Sequence, residues 1–207
     1  MNAAPTELPA QPLDLRGSRL ARGLLRLAGW RVAFHGLPTS QGVAVVYPHT
    51  SNWDFVVLML AKWSLGLPVT FWGKAALFRI PLFGVWLRAI GGLPVLRHTP
   101  QGAVAQMTAQ MREACAQGRF LWLGLSPEGT RQHSQGWRSG FYRVAQQTGV
   151  PVALVALDYG RRRVRFDSFW RLGSDPAADL EVFARRLAGT RGRHPARAAP
   201  VRLLEGR

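Results

Sequence analysis

Val43-Ala44-Val45-Val46-Tyr47-Pro48-His49-Thr50-Ser51-Asn52-Trp53-Asp54 is the stretch from which the fold of this chain of 207 residues can be read. The run Val43 to Tyr47 suits a short buried strand, and Pro48 ends it because proline cannot donate to a strand ladder. Ser51 or Asn52 can then cap a helix that runs to about Leu65. A buried strand passing into a helix is the repeating unit of a parallel sheet.

Outward from this stretch the pattern repeats. Val69 to Trp72 predicts a strand, followed by a Gly73-Lys74 turn and a helical segment through Arg88 to Ile90. Gly91-Gly92 break that helix, and Pro94 to Leu96 predicts a short strand. Gln101 to Gln117 reads as a helix, Phe120 to Leu125 as a buried strand and Pro127 to Thr130 as a loop. Ser139 to Thr148 is helical, Val152 to Asp158 a strand, and Arg162 to Phe166 an alternating, more exposed strand. Asp175 to Leu187 is a helix capped by Ser174 or Asp175. The expected fold is α/β: a single domain with a mostly parallel sheet flanked by helices. Residues 1–14, rich in proline, are expected to be loose. Residues 15–187 form the domain, and 188–207 are expected to be a flexible basic tail.

The chain carries 27 Lys and Arg against 11 Asp and Glu, a formal net charge of +16. Such an excess points to an anionic partner: nucleic acid, an acidic membrane surface or a phosphorylated substrate. Leu15 to Trp30 sets Arg16, Arg19, Arg22 and Arg26 on one face and Leu20, Leu24 and Leu27 on another. This predicts an N-terminal amphipathic helix suited either to a membrane interface or to packing on the core. No run of about 20 apolar residues is long enough to span a bilayer, and Met1 to Gln11 lacks a signal peptide's basic start. Cys115 is the only cysteine, which excludes an intrachain disulfide and a cysteine zinc site. None of His35, His98, His133 and His194 has metal-ligand spacing, so no metal site is expected.

Three segments carry chemistry. Asp54 is the only carboxylate between Asp14 and Glu113, a stretch with eleven Lys and Arg. Imidazole exchanges a proton near neutrality, and a carboxylate on its second nitrogen fixes the tautomer. Five residues on one helix lie about 140° apart, so His49 and Asp54 meet only if His49 sits in the turn and Asp54 in the first helical turn. The alternative is a surface histidine and a helix-start acid that never touch. Ser126-Pro127-Glu128-Gly129-Thr130-Arg131 follows a strand, where open sheets bind ligands. There Gly129 permits close backbone approach, Thr130 offers a hydroxyl and Arg131 a fork matched to phosphate. Gly124 and Ser126 imitate a nucleophile elbow, but Glu128 stands where that motif needs glycine. Lys74, after Gly73, and Arg97, after Gly91-Gly92-Leu93-Pro94-Val95-Leu96, bring cations to two more strand ends.

In order, these blocks and Gly149-Val150-Pro151-Val152 resemble the glycerolipid acyltransferase family of lysophosphatidate acyltransferases over residues 43–158. Trp137-Arg138-Ser139-Gly140-Phe141-Tyr142 resembles the form in small bacterial members, while Ser126 stands where the family usually has Phe. The resemblance implies acyl transfer from a thioester, acyl-CoA or acyl carrier protein, to a hydroxyl of a lysophospholipid such as 1-acylglycerol-3-phosphate, with no further cofactor. His49 and Asp54 match the catalytic block. Gly73, Lys74 and Arg97 match the second block, and Glu128, Gly129, Thr130 and Arg131 the third. Pro151 matches the fourth, on the acyl-chain side. Arg131, Arg97 and Lys74 would hold the acceptor phosphate, and Glu128 would order its loop or bind a glycerol hydroxyl. The expected setting is peripheral or monotopic, on the cytoplasmic face of an anionic membrane, with no nucleic-acid partner. A thioester hydrolase and a non-catalytic basic binding module are the rival readings.

Overall fold

The computed structural model describes residues 4–95 and 100–204. Its strands are β1 (Thr6–Glu7), β2 (Arg31–Phe34), β3 (Gln41–Tyr47), β4 (Thr70–Lys74), β5 (Gly92–Val95), β6 (Leu121–Leu125), β7 (Val152–Asp158) and β8 (Arg163–Arg171). The helices are α1 (Arg19–Leu27), α2 (Trp53–Leu65), α3 (Phe83–Ala89), α4 (Pro100–Ala116), α5 (Gly140–Thr148) and α6 (Pro176–Leu187). One sheet runs β1-β8-β7-β3-β6-β4-β5, with β2 also pairing β8. The pairs β3–β6, β3–β7, β4–β6, β4–β5 and β2–β8 are parallel, whereas β8 is antiparallel to β7 and to β1. The α/β architecture expected from the strand–helix alternation is the one observed.

Successive side chains on a strand point to opposite faces, and this divides the core into two layers. Val43, Val45, Val152, Leu154 and Ala156 pack with Met107 and Met111 of α4, Phe141 of α5 and Phe183 of α6. Ala44, Ala153, Val155 and Leu157 face the other way, onto Leu25 of α1 and Val57 and Ala61 of α2. Every residue of β7 is buried, as a central parallel strand covered by helices on both faces must be. Pro94 lies in β5, the last strand of the path, where a missing N–H is tolerated.

Several expectations are corrected. Gly73 and Lys74 are the last two residues of β4, not a turn. A Cβ on Gly73 would meet the Phe78 ring at 2.7 Å, so the glycine answers to packing there. The expected 162–166 strand runs on to Arg171, because an extra residue between Phe166 and Phe169 breaks the alternation against β7. Neither terminal segment is loose where it is described. The Leu8 amide donates to the Phe169 carbonyl, and Gln11 and Leu37 exchange both backbone bonds at 3.1 Å. At the other end, Ala199 is fully buried, and residues 188–204 lie across the C-terminal ends of the central strands. Their bonds are made by backbone amides and carbonyls, which composition does not report.

Candidate active site

Because β3 is parallel to both β6 and β7, the segments that follow them, 48–54, 126–131 and 159–160, meet at one end of the sheet. Asp54 is fully buried in the first turn of α2. Its Oδ2 lies 3.1 Å from His49 Nδ1 and accepts the amides of Thr50 at 2.7 Å and Ser51 at 2.9 Å. Its Oδ1 accepts the Tyr159 hydroxyl at 2.8 Å. An ionised carboxylate only accepts, so the proton of a neutral imidazole sits on Nδ1 and Nε2 is left as a free base. The His49 side chain keeps 19% of its surface exposed, enough for a substrate to reach it.

Burial by itself would raise the Asp54 carboxyl. Hydrogen bonds from His49, the Ser51 amide and Tyr159 overcome that and hold it below its ordinary value. The positive end of α2 acts in the same sense. Burial, then the bond to Asp54 and its charge, push the Tyr159 phenol far up, which keeps it a hydrogen donor. Of the two residues expected to cap α2, Ser51 does so, its Oγ accepting the Trp53 amide at 3.2 Å, whereas Asn52 makes no side-chain cap bond.

Glu128 is also buried, and both its oxygens are occupied. Oε2 accepts the His49 amide at 2.5 Å and Oε1 accepts the Ala199 amide at 2.9 Å. Burial, chiefly, raises its pKa. The side chain therefore ties the loop after β6 to the histidine loop and to the C-terminal segment, which is the loop-ordering of the two expected alternatives. Gly129 has φ 65°, and a Cβ there would strike Arg138 Nε at 2.6 Å. Thr130 Oγ1 accepts the Gln132 amide at 3.2 Å. Arg131 is exposed and has no charged or hydrogen-bonding partner among the described residues. Arg97 lies outside the described residues, and of Lys74 only the backbone is described. Pro151 immediately precedes β7, and its carbonyl accepts the Val43 amide at 2.9 Å.

A family model described as Acyltransferase matches residues 31–158. The chain belongs to the acyltransferase family. It is 31% identical over 125 residues to the chloroplastic 1-acyl-sn-glycerol-3-phosphate acyltransferase BAT2 of Brassica napus, a match covering 58% of this chain and 34% of that one. It is 32% identical over 125 residues to the chloroplastic LPAT1 of Arabidopsis thaliana, covering 58% and 33%. The match thus takes in about a third of each plant relative. Among solved structures it is similar to the 1-acyl-sn-glycerophosphate acyltransferase PlsC of Thermotoga maritima, with 20% identity, 81% of this chain and 73% of that chain covered, and a TM-score of 0.48.

Two contributors to the site escape a reading of the sequence motifs. Tyr159 follows β7 directly, so the strand-end rule that singled out 126–131 applies equally to it. The 191–199 segment lies beyond the matched region. There the His194 amide donates to Thr50 Oγ1 at 3.2 Å, the Tyr159 amide donates to the Arg191 carbonyl at 2.8 Å, and the Tyr47 hydroxyl donates to the Ala199 carbonyl at 2.9 Å.

Tyr159→Phe removes one of the donors that stabilise the Asp54 carboxylate. A group with a depressed folded pKa adds stability above its unfolded value, here near 3.8, and loses it as pH falls through the folded value. The variant is expected to lose about 1.5–3 kcal/mol at neutral pH, the worth of a hydrogen bond to a charged group. That penalty shrinks as the pH drops below the carboxylate range. Urea titrations of both proteins at neutral and acid pH measure it, and a penalty independent of pH would contradict the assignment.

Proposed function

We propose that this acyltransferase-family chain moves a fatty acyl group from a thioester to a hydroxyl of a lysophospholipid such as 1-acylglycerol-3-phosphate. The observation that carries the reading is the His49–Asp54 contact, formed on a buried carboxylate at the end of a parallel sheet. His49 Nε2 takes the acceptor hydroxyl proton, and the oxygen attacks the thioester carbonyl. The tetrahedral intermediate collapses with loss of thiolate, and the imidazolium returns the proton to that sulfur. Asp54 holds the ring and stabilises the imidazolium. Transfer is direct: among the described residues no serine or cysteine bonds to His49, whose side chain pairs with Asp54, and Cys115 lies exposed on α4. The product is a phospholipid, which places the reaction in lipid biosynthesis.

The acceptor phosphate falls to Arg131, three residues beyond Glu128. Consecutive Cα atoms are about 3.8 Å apart, so its backbone lies within about 11 Å of the residue that grips the His49 amide. An exposed guanidinium with no internal partner gives up no existing bond in taking a phosphate.

A lipid acceptor requires contact with a membrane surface. No helix among the described residues is long and apolar enough to cross one. The helix α1 offers Leu20 at 73% and Leu27 at 87% exposure beside its arginines, while Ala21 and Leu25 pack inward. Trp30, just past its C-terminal end, sits edge-on to the Tyr159 ring at 4.9 Å, so that end of α1 borders the site. These features support peripheral binding to an anionic leaflet, which the proposal assigns to the cytoplasmic face.

Three outcomes test this reading. His49→Ala is expected to abolish ester formation in a thiol-release assay with product lipids identified by mass, and Asp54→Asn to lower it by about 10⁴-fold as in other oriented histidines. More than a tenth of wild-type activity in His49→Ala would remove the base from the mechanism. Arg131→Ala is expected to raise the KM for lysophosphatidate by roughly 10- to 150-fold, the equivalent of about 1.5–3 kcal/mol, with little change for the thioester. An equal effect on both substrates would take Arg131 out of the phosphate site. Finally, Leu20→Glu with Leu27→Glu is expected to weaken co-sedimentation with acidic vesicles without lowering thermal stability. Undiminished binding would assign the membrane contact to another surface.

A further inference from the structure

A cleft of about 830 Å³ opens between β2 and the turn joining β7 to β8. Arg31, Arg161, Arg162, Arg163 and His35 line it, and no lining residue is acidic. Asp158 pairs with one of them: its Oδ2 lies 3.1 Å from Arg161 Nη1, and its Oδ1 accepts the amides of Gly160 and Arg161. Among the described residues, Arg31, Arg162 and Arg163 make no ion pair.

Two local features of this cleft work against folding. Arg31 and Arg163 are direct partners in the parallel β2–β8 register, and like charges directly opposite across strands repel. Arg162 has φ 47°, a left-handed conformation that disfavours side chains. Its guanidinium bonds the Ala28 carbonyl at 3.3 Å, and a Cβ on Gly29 would stand 3.0 Å from its Nη1. The side chains of Arg31 and Arg163 have no hydrogen-bond or ion-pair partner among the described residues, and repulsion and strain gathered around such uncompensated groups mark a ligand site.

We propose that this cleft binds the phosphates of coenzyme A when acyl-CoA is the donor, an assignment that rests on the acyl-transfer reading. Arginine forks match phosphate oxygens in geometry and charge. The cleft's volume falls in the range of about 300–1,000 Å³ that small ligands occupy, whereas a carrier protein needs a broad face of about 800 Å². Its position also fits. Gly160 lines the cleft and follows Tyr159, whose hydroxyl touches Asp54. From Gly160 the link to the base runs through Tyr159 and Asp54 to His49, and a pantetheine arm would follow it to bring its thioester to the base.

The test uses Arg31→Ala with Arg163→Ala, two residues outside the catalytic pair and the acceptor site. Calorimetric titration with coenzyme A, and with pantetheine as the control lacking the nucleotide and its phosphates, reads binding without turnover. The wild-type protein is expected to bind coenzyme A at least tenfold more tightly than pantetheine, and the double variant to bind both alike. Arg31→Lys with Arg163→Lys is expected to retain most of the preference. In turnover, the variant's KM for acyl-CoA rises about tenfold while that for S-acyl pantetheine and kcat hold. Thermal unfolding of the variant is expected to be unchanged or raised, since opposed charges are removed. Equal wild-type affinity for the two ligands, an unaltered preference in the double alanine variant, or an equal KM change for both donors would overturn the proposal. So would turnover of acyl carrier protein that responds to the variant while coenzyme A fails to bind. A protein that binds coenzyme A through these arginines but acylates no lysophospholipid would contradict the proposed function and leave the cleft's assignment standing.

Discussion

The buried carboxylate of Asp54 is the constraint from which the rest of the site follows. A charge out of contact with water is tolerated only when donors replace its hydration, and here the donors come from three places. Thr50 and Ser51 turn their amides inward, Tyr159 reaches across from the end of β7, and His49 supplies Nδ1. To satisfy one side chain, the chain must close a tight turn after β3, begin α2 within it, and bring β7 alongside. The imidazole is oriented as a by-product of that arrangement. Its Nε2 is then the nitrogen that Asp54 leaves free, the one the proposed mechanism uses.

A second buried carboxylate performs a structural task on the opposite side of the histidine. Glu128 bonds the backbone of His49 and that of Ala199, so the loop after β6 is tied to the loop after β3 and to the C-terminal segment. The two acids divide the work by what they bind: Asp54 holds the imidazole ring, Glu128 the backbone that carries it. The C-terminal segment extends this further, since His194 bonds Thr50 and Trp137 exchanges backbone bonds with Arg202 and Leu204. Arg193 lies over the exposed ring of Trp53 at 5.7 Å, at the mouth of the same turn.

The parts legible in the sequence are those written in side-chain periodicity. Val43 and Val45 against Ala44 reveal a strand covered on both faces. Pro48 followed by a lone acid five residues past a histidine reveals the turn and the start of α2. What could not be read was written in backbone bonds or in geometry at a distance. The arginine-rich segment after residue 187 reads as solvated chain, yet its contacts are main-chain amides and carbonyls at Arg191, His194 and Ala199. Tyr159 is one residue beyond β7, and nothing local shows that its hydroxyl reaches a carboxylate 105 positions earlier. Gly73 and Lys74 resemble a turn because glycine usually marks one, whereas Gly73 makes room for the Phe78 ring. The bulge in β8 ended the alternation that would have carried its reading to Arg171.

The most direct measurement of the central claim, that Asp54 orients His49 as the base, is the tautomer of that ring. Nitrogen-15 NMR of histidine-labelled protein, with the His49 resonances identified by their loss in His49→Ala, reports which nitrogen bears the proton in the neutral form. The account predicts a protonated Nδ1 and an unprotonated Nε2, with that preference lost in Asp54→Asn. A neutral His49 protonated on Nε2, or a tautomer indifferent to Asp54→Asn, would contradict it.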